Sequence, residues 1–274
     1  MKESMDGLIA EWSERIRAAA AGGHTLHIRG GGSKDFYGRA VTGERLDTGA
    51  LRGIVSHEPS ELVVTVRAGT ALAELEAELA TAGQMLAFEP PHFGSGATVG
   101  GMVAAGLSGP RRASAGALRD FVLGVRMLDG RGEVLRFGGE VMKNVAGYDV
   151  PRLLAGSLGT LGVLLEVSLK VLPRPFAETT LRFELGESAA IEQLNRWGGQ
   201  ALPLSASAWA DGVLSLRLSG AQAAVRAACA SLGGEEVGAQ EAAAVWLGVR
   251  EQTLPWFGLD VGGAALWRLS VPSA

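Results

Sequence analysis

The sequence predicts an α+β protein in two parts, and three observations carry that reading. Strand-like alternation of apolar residues is interleaved with helical stripes along the chain, and no internal repeat is visible. Glycine accounts for 40 of the 274 residues, about twice the ~7% of an average protein. These glycines are uneven: 28 fall in residues 1–173 and 12 in residues 174–274. Pro173 and Pro175 break the chain where the texture changes, so a first domain is expected over 1–175 and a second over 176–274.

Each element follows from local pattern. Residues 8–21 read as a helix, since Leu8, Ile9, Trp12 and Ile16 recur at helical spacing and Gly22-Gly23 stops it. His24 to Arg29 reads as a short strand with Leu26 and Ile28 on one face, running straight into Gly30-Gly31-Gly32-Ser33-Lys34. Glu61 to Arg67 is the next strand, with Leu62, Val64 and Val66 on one face. A helix follows, capped by Thr70, striped by Leu72, Leu75 and Leu79, with Gly83 just past its end. Between Gly94 and Gly116 there are 7 glycines and no sustained period, the pattern of a loop with unusual backbone angles or close approach. Val122 to Leu128 and Glu133 to Phe137 flank a turn at Asp129-Gly130. Pro151 to Ala155 is a helical piece, and Leu161 to Val171 a strong strand. Beyond the boundary, strands are expected at 179–185, within 204–218 around Asp211-Gly212, and at 265–271. Helices are expected at 187–197, 220–232 and 239–250. That order suits a small ferredoxin-like domain.

Composition narrows the function. With 47% hydrophobic and 20% charged residues the chain is globular rather than disordered. A net charge of −4 argues against nucleic acid as a partner. Cys229 is the single cysteine, so an internal disulfide, a cysteine-ligated iron–sulfur cluster and a cysteine zinc site are excluded. Met1 to Asp6 is polar and no signal peptide is expected. The longest apolar run, Ala97 to Leu107, is too short to span a bilayer. The expected location is the cytoplasm, and no metal site is expected.

The glycine loops carry the chemistry. Consecutive backbone amides at Gly30, Gly31 and Gly32 suit an anion, with Ser33 a further donor and Lys34 a counter-charge. A plain tight turn is an equal reading of that segment alone. It lacks Walker A spacing, and Gly94-Ser95-Gly96 with Gly100 has the wrong spacing for a dinucleotide fingerprint. Two such loops about 65 residues apart nevertheless favour a bulky diphosphate ligand over a merely buried crossover. A third segment, Lys143-Asn144-Val145-Ala146-Gly147-Tyr148-Asp149, and a fourth, Gly156-Ser157-Leu158-Gly159-Thr160-Leu161-Gly162-Val163, follow.

Taken in order, GGGSK, ATVGG, LRDFV and KNVAGYD-RLLAGSLGTLGV resemble the vanillyl-alcohol-oxidase or PCMH-type FAD-binding superfamily over residues 25–175. Within it they are most similar to the family of FAD-binding E subunits of bacterial glycolate oxidase. The resemblance implies an FAD-binding domain of two α+β subdomains and a small ferredoxin-like cap. Because the chain stops soon after Val271 where relatives continue, the cap is expected to be incomplete or compact. It assigns Gly30, Gly31, Gly32, Ser33 and Lys34 to the first pyrophosphate loop. Thr98, Gly100, Gly101, Ala105, Gly106 and Gly109 go to the second loop, Gly116 and Asp120 to its support, and Gly162 and Val163 to an adenine-side turn. The flavin is expected to be non-covalent, since the first loop has no histidine and Cys229 lies far downstream.

The implied function is FAD binding within a complex that oxidises glycolate to glyoxylate, an oxidoreductase acting on the CH–OH group of a 2-hydroxy acid. A D-type flavin subunit would carry most of the substrate chemistry and an F-type iron–sulfur subunit would accept electrons. Membrane association would come through those partners. Such oxidation needs a base and a cation for the carboxylate. The weak candidates here are His92, Tyr148 and Lys143, and no histidine follows position 92. A self-sufficient 2-hydroxy-acid dehydrogenase and a scaffold that has lost FAD are the competing readings.

Overall fold

The computed structural model describes residues 2–139, 147–258, 269 and 271. The chain divides into two units: Met1–Ser108 with Gly116–Arg174, and Gly109–Ala115 with Pro175–Ala274.

In the first unit, α1 (Lys2–Gly22) buries Ile9, Trp12 and Ile16 against Leu46, Leu51, Leu128, Val163 and Leu165. Trp12 is 1% exposed and anchors this layer. After α1 comes β1 (Leu26–Arg29), which pairs in parallel with β2 (Glu44–Asp47). Next are β3 (Ile54–Glu58), β4 (Val63–Arg67), α2 (Leu72–Thr81) and the short β5 (Gln84–Met85). The glycine-rich stretch holds α3 (Val99–Ala105), and α4 (Arg112–Ala115) then falls in the second unit. On its return the chain forms β6 (Val122–Leu128), β7 (Val134–Gly138), α5 (Val150–Leu154), β8 (Val163–Lys170) and β9 (Leu172–Pro173). An antiparallel five-stranded sheet in the order β3-β4-β8-β6-β7 is the frame. β8 is its central strand, so apolar side chains are buried on both of its faces. β5 and β9 form a separate antiparallel pair.

Three local expectations are corrected. Leu62 is not in the strand: it adopts φ 56° and closes a 3-10 turn at Pro59–Glu61, so β4 begins at Val63. Thr70 does not cap α2. Its Oγ1 instead accepts the Gly53 amide at 2.8 Å, and Ala71 occupies the N-cap position. His57, whose place beside Pro59 predicts a turn, lies in β3 with Nε2 2.8 Å from Gln84 Oε1. For Thr70 and His57 a tertiary partner outcompetes the local pattern, whereas Leu62 is set by the local turn whose Pro59 carbonyl accepts its amide.

The second unit contains β10 (Ala177–Glu184), α6 (Glu187–Gly198), β11 (Leu204–Ala210), β12 (Val213–Gly220), α7 (Gln222–Leu232), β13 (Glu235–Val237) and α8 (Ala239–Glu251). Its antiparallel sheet runs β11-β12-β10-β13, with α6 and α7 in the two crossovers, which is split-βαβ topology. β13 escapes sequence pattern because it is three residues long and follows Gly233-Gly234. The strand expected at 265–271 lies almost wholly outside the described residues.

A charged cluster is built into this unit. Arg111 Nη2 donates to Glu178 Oε2 at 2.7 Å, and Ser219 Oγ donates to the same oxygen at 2.6 Å. Arg217, 3% exposed, lies 3.9 Å from Glu178 and stacks 4.9 Å from the Trp246 ring. Burial works to raise the Glu178 carboxyl. The Ser219 and Arg111 hydrogen bonds, with the charge of Arg217, nonetheless hold it below its ordinary value. A carboxyl lowered on folding stabilises the fold above its unfolded pKa, about 4.3. That contribution disappears as pH falls through the lower folded value. Urea unfolding of the wild type and Glu178→Gln is therefore expected to separate at neutral pH and converge in acid. A gap that stays constant with pH contradicts this role.

Candidate functional site

The site grows out of the end of β1. Arg29 terminates the strand and its carbonyl accepts the Thr48 amide at 2.9 Å. The chain then turns through Gly30, Gly31 and Gly32, the last at φ 75°. Arg29 closes this turn from the side: its Nε donates to Asp35 Oδ2 at 2.7 Å. The hydrogen bond holds the Asp35 carboxyl below its usual range and raises the Arg29 guanidinium.

The second loop is pinned to the frame by three backbone hydrogen bonds. The Leu72 amide donates to Ala97 O at 2.8 Å, Val99 to Thr70 O at 3.0 Å and Gly100 to Ala68 O at 2.7 Å. Thr98 caps α3, its Oγ1 accepting the Gly101 amide at 3.2 Å. The stretch 94–116, expected as loop, thus contains α3 and α4. Gly100 and Gly101 depress helix propensity, which hides α3 from sequence pattern. Gly100 is present for contact, because a Cβ there would stand 2.8 Å from the Ala68 Cβ.

The two loops meet backbone to backbone. A Cβ on Gly31 would fall inside the Gly96 carbonyl, one on Gly30 would strike Thr98 Oγ1, and one on Gly96 would lie 2.9 Å from Gly31 O. Gly94 and Gly156, both at positive φ, have nothing within 4 Å of an added Cβ. Gly31, Gly94 and Gly96 form a strip of exposed, bare backbone, and Gly156 is exposed as well.

The fourth segment closes the C-terminal end of α3. Val103 O and Ala104 O accept the Gly156 and Leu158 amides at 3.0 and 2.9 Å. Gly106 (φ 66°) lets them approach, since a Cβ would lie 2.8 Å from Gly156 N. Ala105 is buried beneath. Asp120 Oδ2 accepts the Ala117 amide at 3.0 Å beside Gly116 (φ 103°), which supports the returning chain. Gly162 (φ 140°) abuts Leu128 O. The Val163 side chain packs in the core with α1. Gly109 belongs to the second unit.

The polar candidates are placed unequally. Lys34 Nζ donates to His92 O at 3.1 Å and lies 5.6 Å from the Phe93 ring. Phe93 packs edge-on against Phe36 at 5.3 Å. His92 Nε2 is 3.0 Å from Glu76 Oε2 on α2, so the ring is turned to a carboxylate. Tyr148 is 95% exposed, and its carbonyl accepts the Val150 amide. Lys143 lies outside the described residues. Sequence reasoning missed Glu76 and the left-handed residues Glu89 (φ 48°) and Phe93 (φ 52°) that bracket Pro90-Pro91. The one sequence signal there was the proline pair, which stiffens the approach. Left-handed backbone costs a residue with a Cβ roughly 1–2 kcal/mol, so these positions need fastening from outside. Among the described residues no group of three His, Cys, Asp or Glu side chains is placed to hold a metal ion. No helix of the described residues is long and apolar enough to cross a membrane.

Comparison with known proteins identifies relatives of this arrangement. A family model described as FAD binding domain matches residues 9–138. The chain is 52% identical over 260 residues to the glycolate oxidase subunit GlcE of Escherichia coli, covering 95% of this chain and 72% of that protein. It is 34% identical over 133 residues to the glycolate oxidase subunit GlcD of Bacillus subtilis, covering 48% of this chain but only 28% of that protein. A solved structure of alkyldihydroxyacetonephosphate synthase shares the fold, with a TM-score of 0.66 at 17% identity, over 88% of this chain and 52% of that one.

Gly106→Ala is expected to destabilise the chain by about 1–3 kcal/mol, because it meets both positive φ and the Gly156 backbone. Gly130→Ala, where an added Cβ meets nothing, is the control and should fall within about 0.5 kcal/mol of wild type. Chemical denaturation of the two variants checks this, and equal effects would contradict the contact.

Proposed function

Since the chain belongs to the glycolate oxidase subunit GlcE family, we propose that it holds FAD non-covalently on the bare backbone strip, within an assembly that oxidises glycolate to glyoxylate. The observation that carries this reading is the apposition of Gly31 and Gly96, beside the open backbone at Gly94. A long diphosphate needs closely spaced amides without side chains between them, and this strip presents them.

The chain's own residues have defined tasks in this reading. Gly30, Gly31, Gly32 and Ser33 offer donors to phosphate oxygens, and Lys34 offsets their charge while anchored to the His92 carbonyl. Thr98, Gly100 and Gly101 hold the opposite wall through the α3 cap. Gly106, Gly116 and Asp120 fix the return of the chain, and Gly162 with Val163 forms the turn facing the far end of the ligand. The chemistry FAD supplies when bound is acceptance of a hydride and onward transfer of electrons. Non-covalent binding is supported by the first loop, which has Ser33 and Lys34 rather than histidine, and by the sequence position of Cys229, far downstream of both glycine loops.

Partners complete the chemistry. His57 and His92 are turned to Gln84 and Glu76, and His24 and His27 flank or lie in β1. None is thereby marked as the base that takes a hydroxyl proton, which supports assigning that step to a GlcD-type subunit. Electrons would leave to an iron–sulfur subunit, because one cysteine cannot ligate a cluster. The assembly is placed in the cytoplasm, with membrane contact made by partner subunits.

The purified chain is expected to be yellow, with flavin absorbance released by denaturation. Gly31→Asp should abolish it, because the new side chain collides with the Gly96 backbone and repels phosphate. Dye reduction by glycolate should require the GlcD-type partner. A colourless wild type sinks the FAD reading, and glycolate turnover by the chain alone sinks the division of labour.

A further inference from the structure

Residue 92 is held from two sides. Its ring nitrogen Nε2 sits 3.0 Å from Glu76 Oε2, and its carbonyl accepts Lys34 Nζ at 3.1 Å. Glu76 stands on a rigid platform, because it flanks the buried stripe of Leu72, Leu75 and Leu79, one turn from Leu72. Lys34 comes from the first glycine loop. Immediately after this doubly held residue the backbone turns left-handed twice, at Phe93 (φ 52°) and Gly94 (φ 119°). Two residues later Gly96 meets Gly31. Backbone in such regions persists only where its surroundings over-determine it. The contacts to residue 92 supply that determination at the point where the second loop is aimed at the first.

We propose that Glu76 is a positioning residue for the flavin cradle: acting through His92, it holds the 92–96 turn in register with the first loop and so sets the affinity for FAD. This rests on the strip being the FAD site. The carboxylate fits the task because an ionised Glu only accepts, which commits Nε2 of the ring to donating and fixes its orientation. The first loop then finds residue 92 in one place, and Lys34 bridges the two walls rather than following a mobile turn.

A Glu that only stabilised α2 would behave differently, and the experiment separates the two. Glu76→Ala, Glu76→Gln and His92→Ala are titrated with FAD by fluorescence quenching, alongside thermal unfolding of the FAD-free chain. Glu76→Ala should raise the FAD dissociation constant on the order of ten-fold with little change in unfolding temperature. Glu76→Gln, whose amide oxygen still accepts, should restore most of the affinity. The double variant should bind FAD no more weakly than His92→Ala, since both act through one contact. Amide hydrogen exchange of the FAD-free chain should quicken at 93–97 in Glu76→Ala and not along α2. Unchanged affinity, an affinity loss matched by a fall in unfolding temperature, or exchange that is unaltered at 93–97 overturns the proposal. A wild type that takes up no FAD overturns the reading of the site instead, and the exchange measurement, which needs no ligand, tells the two failures apart.

Discussion

Gly31 and Gly96 touch through their backbones, with no space for a Cβ at Gly31, and the geometry of the first unit is arranged around that contact. One side is fixed by the β1–β2 pair, which ends at Arg29 and Asp47. The other is fixed to the chain around β4 and α2, where Leu72 donates to the Ala97 carbonyl and Val99 and Gly100 donate to the Thr70 and Ala68 carbonyls. Each loop is therefore an extension of a sheet and inherits its rigidity. The contact explains the glycines before any ligand is invoked. Where two backbones cross at this distance a side chain is excluded, and the strip left bare beside the crossing has the surface that a long anionic ligand needs.

α3 links this crossing to the rest of the site. At its first turn, Thr98 caps it and also lies where a Cβ on Gly30 would point. At its last turn, carbonyls that a helix end leaves unpaired are taken by the Gly156 and Leu158 amides. A seven-residue helix is too short to persist through its own hydrogen bonds. It is held by its neighbours, and in turn it spaces three loops that are distant in sequence. The segment before it carries strain at Glu89 and Phe93, offset by burial of Leu86, Ala87 and Phe88 and by the contacts of Lys34 and Glu76 to His92.

In the second unit the specifying feature is charged rather than bare. Residues 109–115 leave the glycine-rich stretch and contribute Arg111 to the cluster with Glu178, Arg217 and Ser219. Arg111 and Arg217 are buried while Glu178 is partly exposed, so removing the carboxylate takes a counter-charge from two buried guanidiniums. Such a cluster fixes which segment joins the sheet of β10 to β13, and it is invisible to hydropathy because Arg111 lies 67 residues from Glu178, and Glu178 lies 41 from Ser219.

Period and punctuation alone determined much of this protein. The stripe of α1, the β6–β7 hairpin, the strand around β8, and the helices and the hairpin of the second unit are short-range patterns, and local sterics and burial settle them. The ordered glycine motifs also identified an FAD-binding family without any structure. The tertiary structure alone decided which neighbours these groups have. Thr70 reads as a cap yet serves Gly53, Leu62 reads as strand yet closes a turn, and Gly100 reads as loop yet packs α3 on Ala68. His92 reads as a weak candidate base, and only the structure shows its ring facing a carboxylate 16 residues away. The physical reason is common to Thr70, Gly100 and His92. A hydrogen bond or a close contact across the fold competes with local preference on equal terms, and a sequence records only one side of that competition.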